Sequence, residues 1–218
     1  MKSIDLFPIR IWTGYIDDNV TDRIKLIDES YRLKDNNKIG RDKSNYGGWH
    51  SQSVTENRLF DKLHKSILDI INNEIIPKEY EDSLYKLNMS VQEFDDSWVI
   101  INKKDDINFP HTHPGNWMSG AFYIKAPYVN CNESGPIIFN DMISARVNEN
   151  FPFKSNLSKS YPLHPEDGKL ILFPSWLPHR VHNHDAYDDR IVFSFNISIQ
   201  LQDPLKQNWK INKGRYDG

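Results

Sequence analysis

Hydrophobic and polar positions along the chain change rhythm near residue 84. Before it, apolar residues recur with a helical period. Phe60, Leu63, Ile67, Ile71 and Ile75 share one face and predict a helix over 57–76, with Pro77 just past its end. Ile24, Ile27 and Tyr31 predict a second helix over 21–33, with Thr21 as its N-cap. Each helix has one apolar face and needs a surface to lie against. His64 falls mid-helix and reads as structural. The stretch 4–12 (IDLFPIRIW) reads as an opening strand broken by Pro8.

Beyond residue 84, short apolar or alternating runs are separated by turn residues. They fall at 84–94, 97–102, 118–125, 136–140, 169–174 and 190–199. That cadence predicts antiparallel strands in a sandwich or barrel. In the last run, Ile191, Phe193, Phe195 and Ile197 point one way, and Arg190, Val192, Ser194 and Asn196 the other. Such a strand separates two environments. The pattern fits core against water, and equally helices on the apolar face with a polar cavity on the other. The expected class is β-rich α+β in one domain over 1–218: helical support to about 83, a barrel over about 84–200 and a tail at 201–218.

Composition narrows the function. Aromatic residues reach 12 %, with six Trp, which argues for a folded core despite only 38 % hydrophobic residues. A formal net charge of −3, with both signs mixed along the chain, does not indicate a nucleic-acid partner. The single Cys131 excludes an internal disulfide and fits a reducing compartment. The stretch MKSIDLFPIR lacks the apolar run of a signal peptide, and no stretch approaches the ~20 apolar residues of a membrane span. The expectation is a soluble, cytoplasmic protein; a homodimer fits as well as a monomer.

The candidate chemistry lies in the histidines. His111 and His113 are two apart, so in extended chain both imidazoles point to one face about 7 Å apart. Both can then reach one metal ion. His179, after the strand KLILFP and a Trp-Pro turn, is the preferred remote third ligand; His182 and His184 compete for that place. Two near ligands and one distant ligand would occupy one face of an octahedron and leave three positions open, as Fe(II) oxygenases require.

At these residues the sequence resembles a known group. HTHPGNWMSGAFYI, SGPIIFND, DGKLILFPSWLPHRV and DDRIVFSFNIS, with NYGGWHS and SWVIIN upstream, are similar to a prolyl-hydroxylase-like branch of the 2-oxoglutarate/Fe(II)-dependent oxygenases found in phages and bacteria. The resemblance runs with gaps from about residue 45 to 198. It implies a double-stranded β-helix, a cupin-like jelly roll with supporting N-terminal helices. It implies Fe(II) held by His111, His113 and His179, with 2-oxoglutarate as co-substrate and O2 as oxidant. Arg190, eleven residues beyond His179, matches the basic residue that holds the co-substrate's far carboxylate. A guanidinium suits that task because it pairs with a carboxylate through two parallel hydrogen bonds. Ser194, Tyr123 and Asn102 are further candidates for the co-substrate pocket. The implied reaction hydroxylates a small-molecule or peptidyl substrate and converts 2-oxoglutarate to succinate and CO2.

One departure stands out. Most of the superfamily has a carboxylate where this chain has His113, and Asp105, Asp106 and Asp141 lack the family's spacing. Three neutral imidazoles leave Fe(II) its full charge, which alters redox potential and metal preference. Trp49 and His50 in the loop YGGWHS are read as a cover for the substrate entrance; Trp117 and Trp176 flank the histidines in sequence. The stretch 141–168 is expected to carry substrate specificity. Two rivals remain: a cupin-like metalloenzyme that needs no 2-oxoglutarate, and a non-enzymatic jelly-roll binding module.

Overall fold

The computed structural model describes residues 8–79, 88–127, 134–141 and 160–202. The expectations for the start of the opening strand, the first residues of the run 84–94, Cys131, most of the stretch 141–168, and the tail beyond 202 lie outside the described residues.

The chain runs β1 (Trp12–Tyr15), α1 (Asp18–Thr21), α2 (Arg23–Asn36), β2 (Asn45–Tyr46), β3 (Trp49–His50) and a 3-10 turn (Arg58–Phe60). Next come α3 (Asp61–Ile70), a π-helical turn (Ile71–Ile75) and α4 (Ile76–Glu79). Then follow β4 (Asn88–Ser90), β5 (Asp96–Asn102), β6 (Ile107–His111), β7 (Met118–Lys125) and β8 (Ile137–Asn140). The last described elements are β9 (Ser160–Leu163), β10 (Lys169–Pro174), β11 (His179–Val181), β12 (Arg190–Ile197) and β13 (Gln200–Gln202).

A six-stranded sheet has the order β1-β10-β7-β12-β5-β3, and a five-stranded sheet the order β2-β6-β11-β8-β9; β13 pairs with β4 separately. Every described pairing is antiparallel. Two such sheets facing one another make a jelly roll. Residues ahead of 84 supply more than helices: β1 and β3 form the edges of the larger sheet, and β2 one edge of the smaller.

The six-stranded sheet is covered on both faces, which explains the alternation in β12. Ile191, Phe193, Phe195 and Ile197 are buried with Phe60, Leu63, Ile67 and Ile71 of the helical layer. Phe193 stacks on Phe60 with ring centroids 5.5 Å apart. His64 lies in this layer, 8 % exposed, within 4.9 Å of the Phe94 ring centroid and 5.3 Å of that of Phe193. A second, smaller core between the sheets holds Tyr123, Ile137, Phe139, Ile171, Phe173 and Val192.

Both helix predictions need correction at their ends. Thr21 does not cap α2. It closes α1, and its hydroxyl donates to the carbonyl of Asp17, so it is spent before α2 begins. The residue at the cap is Asp22, in the left-handed region at φ 51°. Ile24 is 74 % exposed; the inward face is Leu26, Glu29 and Ser30, with Ile27 and Tyr31 packed at its margin. Buried Glu29 is tolerated because it pairs with Arg32 at 2.6 Å and accepts from Asn57 Nδ2 at 2.7 Å. The helix predicted over 57–76 passes through Pro77. In the π turn the Ile76 N–H bonds back five residues to Ile71, so Pro77 falls in the first turn of α4, where its missing N–H is not required.

Candidate metal centre

The two strands that carry His111 and His179 are neighbours. His111 ends β6, His179 begins β11, and the two are directly opposed in the antiparallel register. His113 lies two residues beyond β6, where its backbone N–H donates to the carbonyl of Ser175 at 2.8 Å. The three rings sit 4.3 Å (His111–His179), 5.0 Å (His111–His113) and 5.1 Å (His113–His179) apart between centroids. One nitrogen from each lies within 4.8 Å of the others, and among the described residues this is the cluster suited to a metal ion.

Backbone carbonyls set which nitrogen is free. His111 Nδ1 donates to the carbonyl of Phe109 at 2.7 Å, and His179 Nδ1 to that of Leu177 at 2.9 Å. Each Nε2 therefore keeps its lone pair, as ligating histidines require. Burial, reinforced by the neighbouring imidazoles, lowers His113 to about 4 and His179 to about 3, and burial lowers His111 as well. All three are neutral donors at physiological pH, so the donor set fits a divalent cation. His182 and His184 are elsewhere: His182 is exposed beside Arg180, and buried His184 bonds the carbonyl of Asn102 at 3.2 Å.

The cluster opens into a cavity of about 540 Å³ between the sheets. Arg190, Asn102, Tyr123 and Ser194 all line it. Arg190 begins β12 opposite Asn102 of β5 and is completely buried. Its Nη1 donates to the carbonyls of Gly135 and His182, while Nε and Nη2 have no partner. A buried guanidinium edge without an acceptor is costly unless a ligand completes it. Asn102 Nδ2 beside it is also unpaired. Burial raises the Tyr123 phenol to about 12 against the opposing field of Arg190, so its O–H remains a donor.

The polar face read into β12 is thus a cavity wall. The YGGWHS segment departs from expectation. Trp49 and His50 form strand β3 against β5 instead of a loop over the entrance. Trp49 joins the helix-side core and His50 lines the cavity beside Asn108. Trp117 packs against the core and Trp176 is half exposed. Asp105, Asp106 and Asp141 are not in the histidine cluster. The sequence reading missed Trp98, whose ring lies 6.1 Å from that of His113, and Arg41, which lies over Trp98 at 5.5 Å. The alternation in β5 held the signal for Trp98, because it shares a face with Asn102.

Fold and site together define a jelly-roll protein with a three-histidine candidate metal centre facing a buried arginine. Residues 96–196 match the family described as "Putative 2OG-Fe(II) oxygenase", a span that takes in all three histidines and Arg190. That segment is similar to the 2-oxoglutarate/Fe(II)-dependent oxygenases. Among curated proteins no sequence matches it. Solved structures with the same fold include a Pseudomonas putida prolyl-4-hydroxylase (TM-score 0.58, 11 % identity, 87 % of this chain and 92 % of that one). Another is a Trichoplax adhaerens prolyl hydroxylase in complex with a hypoxia-inducible-factor peptide (TM-score 0.58, 13 % identity, 87 % and 83 %). A third is HygX from Streptomyces hygroscopicus with nickel and 2-oxoglutarate (TM-score 0.57, 10 % identity, 87 % and 83 %). No described helix is long and apolar enough to cross a membrane.

Proposed function

We propose that this chain, as a single oxygenase domain over residues 1–218, is an Fe(II)- and 2-oxoglutarate-dependent dioxygenase that hydroxylates a small-molecule or peptidyl substrate. One observation carries the reading: a single cavity joins three neutral, converging imidazoles to a buried guanidinium with two unpaired N–H groups. The first feature asks for a cation and the second for a carboxylate. 2-Oxoglutarate supplies a chelating end and a distal carboxylate in one molecule.

His111, His113 and His179 would hold Fe(II), which when bound supplies O2 activation coupled to decarboxylation of 2-oxoglutarate to succinate and CO2. Arg190 receives the distal carboxylate through its free edge. Asn102, Tyr123 and Ser194, which line the same cavity, would donate further hydrogen bonds along the co-substrate. Val192, Phe173 and Ile137 give the same cavity an apolar wall.

The test is an anaerobic titration with Fe(II) and 2-oxoglutarate. The chelate's weak visible charge-transfer band is expected in the native protein and is lost in His179→Ala. Admission of O2 then releases succinate. A protein that retains no iron and develops no band sinks the proposal.

A further inference from the structure

The cavity has cationic groups at two ends, and one co-substrate uses only one of them. Arg190 and Asn102 lie opposite each other at the closed end, and the register of β5 on β12 runs from that pair through Trp98–Ser194 to Asp96–Asn196. Four residues of strand separate Arg190 from Ser194, about 13 Å at the usual rise per residue. At the far end the wall includes Arg41, Lys43, Asp96 and Trp98.

These groups are unequally satisfied. Arg41 is fixed: its Nε donates to the carbonyl of Ser51 at 2.7 Å, its Nη1 pairs with Asp96 at 3.0 Å, and its plane lies over the Trp98 ring. Its Nη2 has no hydrogen bond among the described residues. Lys43 is exposed, and its ammonium has no carboxylate partner among them either. Asp96 is the only acidic residue on the described wall and is already paired. The mouth therefore carries one unneutralised positive charge and free N–H groups. Beside them, Trp98 presents an indole whose Nε1 is buried and unpaired, next to His113.

We propose that this mouth is the substrate's anion-binding subsite, in which Lys43 and Arg41 receive a carboxylate or phosphate while the substrate's body lies against Trp98. The inference rests on the assignment of Arg190 to the co-substrate, since that assignment leaves the second cationic end without an occupant. A small organic anion bound here places its uncharged part beside the histidine cluster. A purely neutral substrate would leave Lys43 and Arg41 unused.

The test is calorimetry on the full chain loaded with Fe(II) and 2-oxoglutarate under argon, with phenylacetate, phenyl phosphate and phenylacetamide as probes. At least one anion should bind about tenfold or more tightly than the neutral amide, with affinity that falls as salt is added. The better anion distinguishes carboxylate from phosphate chemistry. Lys43→Glu should weaken the anion about tenfold without weakening the amide. Arg41→Gln should do the same, but it also loosens Asp96 and Ser51, so exposed Lys43 is the decisive position. Equal binding of the three probes, binding of none, or anion binding indifferent to Lys43→Glu would overturn the subsite. If 2-oxoglutarate fails to bind yet the anions still bind through Lys43, the co-substrate reading fails and the anion subsite stands.

Discussion

His111 and His179 face each other across one rung of an antiparallel ladder, on the adjacent strands β6 and β11. Each donates its Nδ1–H to the carbonyl two residues before it, at Phe109 and Leu177. The ladder fixes the distance between the rings and the two carbonyls fix their tautomers. Replacing either histidine by alanine should therefore remove a pre-oriented donor while leaving the backbone–backbone ladder intact. Iron content is expected to fall from about one per chain to near zero in His111→Ala and His179→Ala. His113→Asp, which restores an anionic donor, should keep the metal. Elemental analysis after reconstitution decides this; iron retained in both alanine variants would dissociate the cluster from metal binding.

Arg190 predicts opposite effects on stability and on ligand binding. Its Nε and Nη2 are buried without partners, so the ligand-free protein bears the cost of an uncompensated charge. Arg190→Met should leave the ligand-free melting temperature unchanged or higher. It should also abolish the stabilisation that 2-oxoglutarate gives, about 2.7 kcal/mol for the native protein at a hundredfold excess over Kd. Thermal scans with and without 2-oxoglutarate measure both. An undiminished shift in the variant would remove Arg190 from the co-substrate site.

Legibility in the sequence followed element length. β7, β10 and β12 are six to eight residues long and were readable as apolar or alternating runs between turn residues. β11 has three residues, and β6 contains Pro110, a residue that argues against a strand in sequence and is accepted here at the register shift between the His111–His179 and Asn108–Val181 pairs. The histidine pair was legible because side chains two apart share a face. The direct opposition of His179 to His111 was not, because register between distant segments leaves no local trace. For the same reason Arg41 and Trp98 were invisible as a pair: they are 57 positions apart, and β5 and the loop at Arg41 meet only in the fold.

Gly135 should be as constrained as Arg190 itself. Its φ is +66°, and a Cβ built there would run into Arg190 Nη1 and lie 2.8 Å from the carbonyl oxygen of His182. Gly115 has φ +88° but open space around the same position. Gly115→Ala should thus cost only backbone strain, about 1 kcal/mol, whereas Gly135→Ala should cost roughly 2–3 kcal/mol and also weaken 2-oxoglutarate by displacing Arg190. Denaturant unfolding of the two variants compares them directly. Equal losses would mean that contact with Arg190 adds nothing to the strain.

His64 makes the helix-to-sheet contact sensitive to acid. Its ring is buried among Phe60, Phe94 and Phe193, and its Nε2 has no partner. Burial lowers its pKa from 6.5 to about 4, against a small opposing effect of Asp61. The folded state therefore requires the neutral ring, while the unfolded chain takes up a proton below about 6.5. The sign follows: between the two values the unfolded state binds more protons, so stability is full above 6.5 and falls as the pH drops toward 4. At pH 5 the loss from this group alone is about 2 kcal/mol. His64→Phe keeps the aromatic packing and removes the proton. It should change stability little at pH 7.5 and raise it by about 2 kcal/mol at pH 5 relative to the native protein. Chemical denaturation of the metal-free protein at the two pH values is the measurement. A variant whose stability differs from the native by the same amount at both would show that His64 does not contribute to the acid response.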